Sequence, residues 1–151
     1  MHKELKIRSC GVSVVVVRKH GKGHQTLMLM RSNNKQWSQV AGGIETDEKA
    51  WEAALREIKE ETGLVPDTLY SADTCEKYYE VEKDSIWIAP VFVAFIKADS
   101  NVVLNHEHSE YKWVSFEEAI SMVPFPGQKT ILKYINDEFV NKHPIELLKI
   151  K

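Results

Sequence analysis

Apolar positions along the chain switch between continuous runs and helical spacing, and the switches predict an ordered set of strands and helices. Lys3 to Ile7 reads as a weak strand. Gly11 to Arg18 holds Val-Ser-Val-Val-Val-Val, a β-branched run typical of a strand buried on both faces. After a basic, glycine-rich turn at 19–23, Thr26 to Arg31 pairs back as a hairpin. Ser32 to Lys35 is a loop, and Trp37 to Val40 is a short strand leading into Gly42-Gly43.

From Thr46 the period changes. Trp51, Ala54, Leu55, Ile58 and Thr62 recur at helical spacing and predict an amphipathic helix. Thr46 is the expected N-cap, with Asp47 and Glu48 in a first turn where the helix dipole favours negative charge. Gly63 suits the left-handed residue that ends helices, and Pro66 follows. Leu69 to Val81 and Ile86 to Lys97 then read as two strands joined by a turn at 82–85, with a bend at Pro90. Asn105 to Glu110 is a polar loop, and Tyr111 to Val114 a short strand. Ser115 caps a short helix through Met122. Pro124 to Gly127 breaks it, and Gln128 to Lys142 forms a last helix with Ile131, Leu132, Ile135 and Phe139 on its apolar face. The termini are expected to fray. This order predicts an α/β chain: a mixed β-sheet with helices on both faces.

Composition narrows the class. The chain has 151 residues, which fits a single domain spanning 1–151. A net charge of −2 gives no reason to expect nucleic acid or an acidic membrane as partner. No apolar run reaches membrane-spanning length, and the first residues lack the apolar core of a signal peptide. Cys10 and Cys75 are too few for a disulfide framework, so a cytoplasmic location with both thiols buried or half-buried is the expectation.

The chemistry concentrates on the long helix. Residues three and four apart are neighbours there, so Glu57, Glu60 and Glu61 share one narrow face beside the apolar stripe. Their mutual repulsion costs a few tenths of a kcal/mol and changes sign when a cation binds. Clustered carboxylates are hard oxygen ligands suited to Mg²⁺ or Mn²⁺, and Mg²⁺ completes its shell with water and substrate phosphates. A solvated, glutamate-rich helix would carry the same three residues.

The spacing separates these readings. Gly42, Glu48, Arg56, Glu57, Ile58, Glu60, Glu61, Gly63 and Leu64 fill every specified position of the Nudix box, G-x5-E-x7-R-E-U-x-E-E-x-G-U with U apolar. Seven fixed letters match by chance about once in 10⁸ windows. The chain therefore resembles the Nudix hydrolases, and the resemblance implies the Nudix fold, an α/β/α sandwich, and hydrolysis of a pyrophosphate bond. It implies metal-binding carboxylates at Glu57, Glu60 and Glu61, with a carbonyl of Gly42 or Gly43 as a further ligand. Arg56 resembles the arginine that fixes those carboxylates, with Glu48 as its partner. On this reading Glu60→Gln cuts turnover by orders of magnitude and relieves repulsion in the metal-free protein.

Outside the box, Glu107 lies in Glu-His-x-x-Tyr-Lys-Trp, similar to a segment of dihydroneopterin triphosphate (dATP) pyrophosphohydrolases whose glutamate contributes to the metal site. Glu107 and the box glutamates are the candidate bases; Glu110 is a weaker alternative. His106 and His108 are expected to be exposed or to support other ligands, since two histidines alone make a poor zinc site. Arg31 is a candidate phosphate clamp, Trp37 a candidate base-stacking ring, and Lys129 a candidate phosphate contact at the last helix. Each has an ordinary structural alternative: a surface charge or a core tryptophan.

Trp37-Ser38-Gln39-Val40-Ala41-Gly42-Gly43 is closer to the pterin-triphosphate and dATP group than to the diadenosine tetraphosphate hydrolases, which carry Pro-Lys-Gly after the tryptophan. The expected substrate is thus a nucleotide or pterin triphosphate, with diadenosine tetraphosphate second, ADP-ribose or a sugar nucleotide third, and a non-catalytic nucleotide sensor last. A monomer or homodimer is expected.

Overall fold

The computed structural model describes residues 1–151. Eight strands form a mixed sheet: β1 (Lys6–Arg8), β2 (Gly11–His20), β3 (Gly23–Arg31), β4 (Trp37–Ser38), β5 (Val40–Gly43), β6 (Thr68–Glu80), β7 (Ser85–Ile96) and β8 (His108–Val114). Helix α1 (Ala50–Thr62) packs on one face. Helices α2 (Phe116–Met122) and α3 (Pro126–Ile135) pack on the other. This is the expected α/β/α sandwich.

The β-branched run explains why two layers of helix are needed. Val12, Val14 and Val16 enter the α1-side core, whereas Val15 and Val17 enter the opposite one, and all five are buried. Side chains alternate along a strand, so the unbroken run from Val14 to Val17 demands cover on both sides. One edge of β2 runs parallel to β7, from Ser13↔Val91 to Arg18↔Ile96. Its other edge pairs antiparallel first with β5 and then with β3. That division leaves an opening in the sheet where β5 delivers Gly42 and Gly43.

Several boundaries move from their expected places. Trp37 to Val40 is two strands, because the chain changes partner at Gln39: Ser38 pairs with β3, and Val40 with β2. Helix α1 starts at Ala50 rather than after Thr46, since Asp47 adopts φ +69° in a turn and cannot begin a helix. The backbone N–H of Lys49 donates instead to Glu52 Oε2 at 2.8 Å. At the other end Gly63 has φ +73°, as the C-terminal signal predicts.

The bend expected at Pro90 lies in its partner strand: Cys75 pairs with Pro90 but Ser71 with Phe92, leaving β6 bulged around Asp73. Pro90 falls where β7 has left β1 and not yet met β2, so its missing N–H breaks no ladder bond on that edge. The last helix starts earlier than expected, with Pro126 in its first turn, and relaxes into a π-type turn at Asn136–Val140. The C-terminus is tied down: Leu69 donates to Lys151 O at 3.0 Å and accepts from Ile150 at 2.8 Å. Cys10 and Cys75 are exposed, not half-buried.

Candidate active site

The acidic helix is rotated relative to the sequence expectation. Buried positions of α1 are Ala53, Ala54, Glu57, Ile58, Glu61 and Thr62, so Glu57 and Glu61 point towards the sheet. They are 8% and 2% exposed. Glu60 stays outside, with its side chain 54% exposed. Trp51 and Leu55 pack only partly against the core. The three glutamates thus form an inward pair with one outward neighbour, not a single solvated ridge.

Arg56 holds this arrangement. Its Nε donates to Glu48 Oε1 at 2.7 Å, Nη1 to Glu57 Oε1 at 2.8 Å and to Glu60 Oε2 at 3.2 Å, and Nη2 to Gly43 O at 2.7 Å. Glu48 is the expected partner, and its other oxygen accepts from the Glu45 N–H at 2.8 Å. Because Asp47 turns the chain before the helix begins, Glu48 reaches Arg56 from the loop. The guanidinium bond from Arg56 holds the Glu48 carboxyl below its ordinary range. The Gly43 carbonyl is committed to Arg56, which leaves Gly42 as the backbone position facing the carboxylates. Arg56→Lys replaces a planar fork with one point charge. Turnover should fall about 10–100-fold, as for other residues that orient ligands, with Glu57 mobility rising in parallel; unchanged kinetics would remove Arg56 from this role.

Gly42 serves close approach. A Cβ built there would lie 2.1 Å from Glu57 Cδ and 2.2 Å from Oε1. The glutamate carboxylate therefore lies directly against the backbone of β5.

Strand β8 supplies the remaining groups. It begins at His108, not Tyr111, because Met30 pairs with Glu110 and Arg31 with His108, with Ser109 bulged between them. The bulge turns His108 inwards, where it is 7% exposed with Nδ1 unpartnered. His108 is therefore buried beside Glu61 and Glu107, which removes the exposed alternative for it and leaves that of a histidine supporting other ligands. Glu61, Glu107 and His108 each bring a ligand atom within 4.8 Å of the others. His108 could have been found by extending the alternation of β8 towards the N-terminus, but the bulge hides that register.

The electrostatics of the cluster favour a cation beside it. Burial pushes the Glu61 carboxyl up to about 8, Glu57 and Glu107 push it further in the same direction, and only the Ala41 backbone and Arg31 oppose them. Glu57 is also raised by burial, against the pull of Arg56. Glu61 Oε2 is buried without a hydrogen-bond partner. Buried acids are ordinarily paired or bound to metal. Glu57, Glu61 and Glu107 would hold a divalent cation, and a hard oxygen set of this kind suits one.

Two cavities adjoin the cluster. One, of about 320 Å³, includes Gly42, Glu76, Tyr78 and Trp87. The other, of about 380 Å³, includes Glu61 and His108. Arg31, Ala41 and Glu107 line both. Arg31 is thus brought to the site. Trp37 lines neither of them; it packs at the edge of the opposite core, with the Lys112 ammonium 5.1 Å from its ring centroid. Lys129 is not brought to the site either: it belongs to α3, and its ammonium donates to the Ile120 carbonyl at 2.7 Å. Helix α3, whose start suggested a phosphate contact, packs on the other face of the sheet through Leu132 and Ile135.

Comparison with known proteins agrees with this geometry. Residues 8–137 match the NUDIX domain. Over 123 residues the chain is 28% identical to the asymmetrical bis(5'-nucleosyl)-tetraphosphatase of Caenorhabditis elegans, spanning 80% of this chain and 88% of that protein. A crystal structure of a C. elegans Ap4A hydrolase binary complex superposes with TM-score 0.74 at 26% identity, covering 84% of this chain and 94% of the other. The E. coli dihydroneopterin triphosphate pyrophosphohydrolase shares the fold, with TM-score 0.70 at 22% identity over 86% of this chain and 96% of that one. No helix is long and apolar enough to cross a membrane.

Proposed function

The chain belongs to the Nudix family, hydrolases that act on phosphoric anhydrides, and on that premise we propose that it converts a nucleoside-triphosphate-like substrate to monophosphate and pyrophosphate. Dihydroneopterin triphosphate and dATP are the candidate substrates, and Mg²⁺ is the candidate ion, with Mn²⁺ able to replace it. The observation that carries the reading is the buried Glu61 carboxylate, whose Oε2 has no hydrogen-bond partner, beside Glu107, which lies at the join of two cavities. Such a group is costly in an empty site and useful where a cation and a polyphosphate meet.

A divalent ion held there supplies charge neutralisation for the phosphates and acidifies water. The chain's own residues do the rest by positioning and charge. Glu57 and Glu61 are ligands fixed from the helix, Glu60 an outer ligand shared with Arg56, and Glu107 a ligand or base from the loop before β8. The Gly42 carbonyl is a further candidate ligand. Arg31, at the join, binds a substrate phosphate. The proton of the attacking water passes to a carboxylate oxygen of Glu107 or of a box glutamate.

Asymmetrical hydrolysis of diadenosine tetraphosphate is a second reading, favoured by the C. elegans relative. A nucleotide sensor without turnover is third, and the complete set of box glutamates speaks against it. Incubation of dATP, dihydroneopterin triphosphate and diadenosine tetraphosphate with Mg²⁺ in heavy-oxygen water separates the three. The first reading expects pyrophosphate from the triphosphates, with the label showing which phosphorus is attacked. Cleavage of the tetraphosphate into tri- and monophosphate, with inert triphosphates, supports the second. Binding without any product supports the third.

A further inference from the structure

We propose that Glu76 reads the heterocycle of the substrate, accepting hydrogen bonds from a ring N–H and the adjacent exocyclic amine of a 2-amino-4-oxo ring, the pattern shared by guanine and pterins. This deepens the triphosphate reading and rests on it. Of the two candidate triphosphates it selects the pterin.

In the β6–β7 ladder Glu76 faces Ala89 and Tyr78 faces Trp87. Residues two apart share a face, so all four side chains stand on one side of the sheet. They line the 320 Å³ cavity, a size within the usual range for small-molecule sites. Ala89, paired with Glu76, is the small member of the four. Two aromatic side chains and an acid then bound a slot that shares Arg31 and Glu107 with the second cavity. A ring in the slot would have its phosphates directed towards the carboxylate cluster.

Glu76 is not otherwise occupied. It makes no side-chain hydrogen bond within the chain, and the one charged group that pulls on it is Arg31. Burial raises its carboxyl above the ordinary range while Arg31 opposes the rise. Two N–H donors from a bound ring would stabilise the charged form further. An ionised carboxylate offers acceptors only. Guanine and pterin present two adjacent donors to it. Hypoxanthine presents one. Adenine presents a donor beside a lone pair, which the carboxylate repels. Loss of one partner from a bidentate pair of this kind changes affinity by about tenfold or more.

Calorimetric titration of dGMP, dIMP and dAMP with Mg²⁺, on the wild type and on Glu76→Gln, tests this. Pyrophosphate release from dihydroneopterin triphosphate is measured alongside. Wild type should bind dGMP at least about tenfold more tightly than dIMP or dAMP, and the variant should bring dGMP and dIMP within about twofold of one another. Equal affinities in the wild type, no binding of any monophosphate, or discrimination that survives in Glu76→Gln would each overturn the assignment. Discrimination without pyrophosphate release would overturn the triphosphate reaction and leave Glu76 standing; release without discrimination would do the reverse.

Discussion

Glu61→Gln should raise the stability of the metal-free protein at neutral pH while cutting its hydrolytic rate by about 10³-fold. The reason is the same for both. In the fold the Glu61 carboxyl titrates near 8, against an ordinary value of 4.5. The folded chain therefore holds a proton between those limits that the unfolded chain releases. Stability from this group is fully present below about pH 4.5, declines as pH rises, and is lost above about 8. The cost of ionising it in the empty site is on the order of several kcal/mol. Gln keeps the shape and carries no charge, so its contribution does not change with pH.

Melting curves in EDTA from pH 5 to 8.5 read this directly. The difference between variant and wild type should grow in favour of the variant across that range. Parallel curves would mean that Glu61 is already ionised and satisfied without a cation. With Mg²⁺ and substrate the ranking for activity should reverse, because on the proposed reading the charge that destabilises the metal-free protein would hold the ion. The same logic corrects the expectation for Glu60→Gln. Glu60 is exposed and paired with Arg56, so its removal relieves little, and the gain in stability belongs to Glu61.

Gly42→Ala should lower turnover by about 10²-fold with the fold intact. Gly42 does not have positive φ, so alanine meets no backbone penalty. Its Cβ would instead fall within 2.5 Å of all three carboxylate atoms of Glu57. Those atoms are the far end of a flexible side chain, and they move before the sheet does. A shift of about 1 Å in a catalytic group is worth about 10² in rate. The displaced Glu57 would also lose the 2.8 Å bond from Arg56. Circular dichroism and melting temperature should stay close to wild type while kcat falls. Unchanged kcat would show that Glu57 need not lie against β5.

Much of this site was legible because its parts lie close together in sequence. The box spacing gave the helix, the carboxylates, and the pairing of Arg56 with Glu48. The valine run gave a central strand and two-sided cover. What could not be read depended on distant pairing. The rotation of α1 is set by packing on β5 and β2, and periodicity counts Trp51 and Leu55 as core although they are half-buried, while Glu57 and Glu61 are buried because the opening at Gly42 accepts them. His108 was hidden by a bulge whose register exists only against β3. Glu76 needed the β6–β7 register, itself shifted by the bulge at Asp73. Lys129 misled because a helix start resembles a phosphate site until the face it covers is known.

On the proposed reading Glu57 and Glu61 form an inward carboxylate pair held for a divalent cation. Titration of Mn²⁺ at neutral pH, followed by electron paramagnetic resonance, tests it on wild type and on the double variant Glu57→Gln/Glu61→Gln. The wild type should quench the free-ion signal stoichiometrically in the presence of nucleotide, and the double variant, still folded, should leave the signal of nucleotide-bound Mn²⁺ alone. Identical titrations of the two proteins would contradict the account.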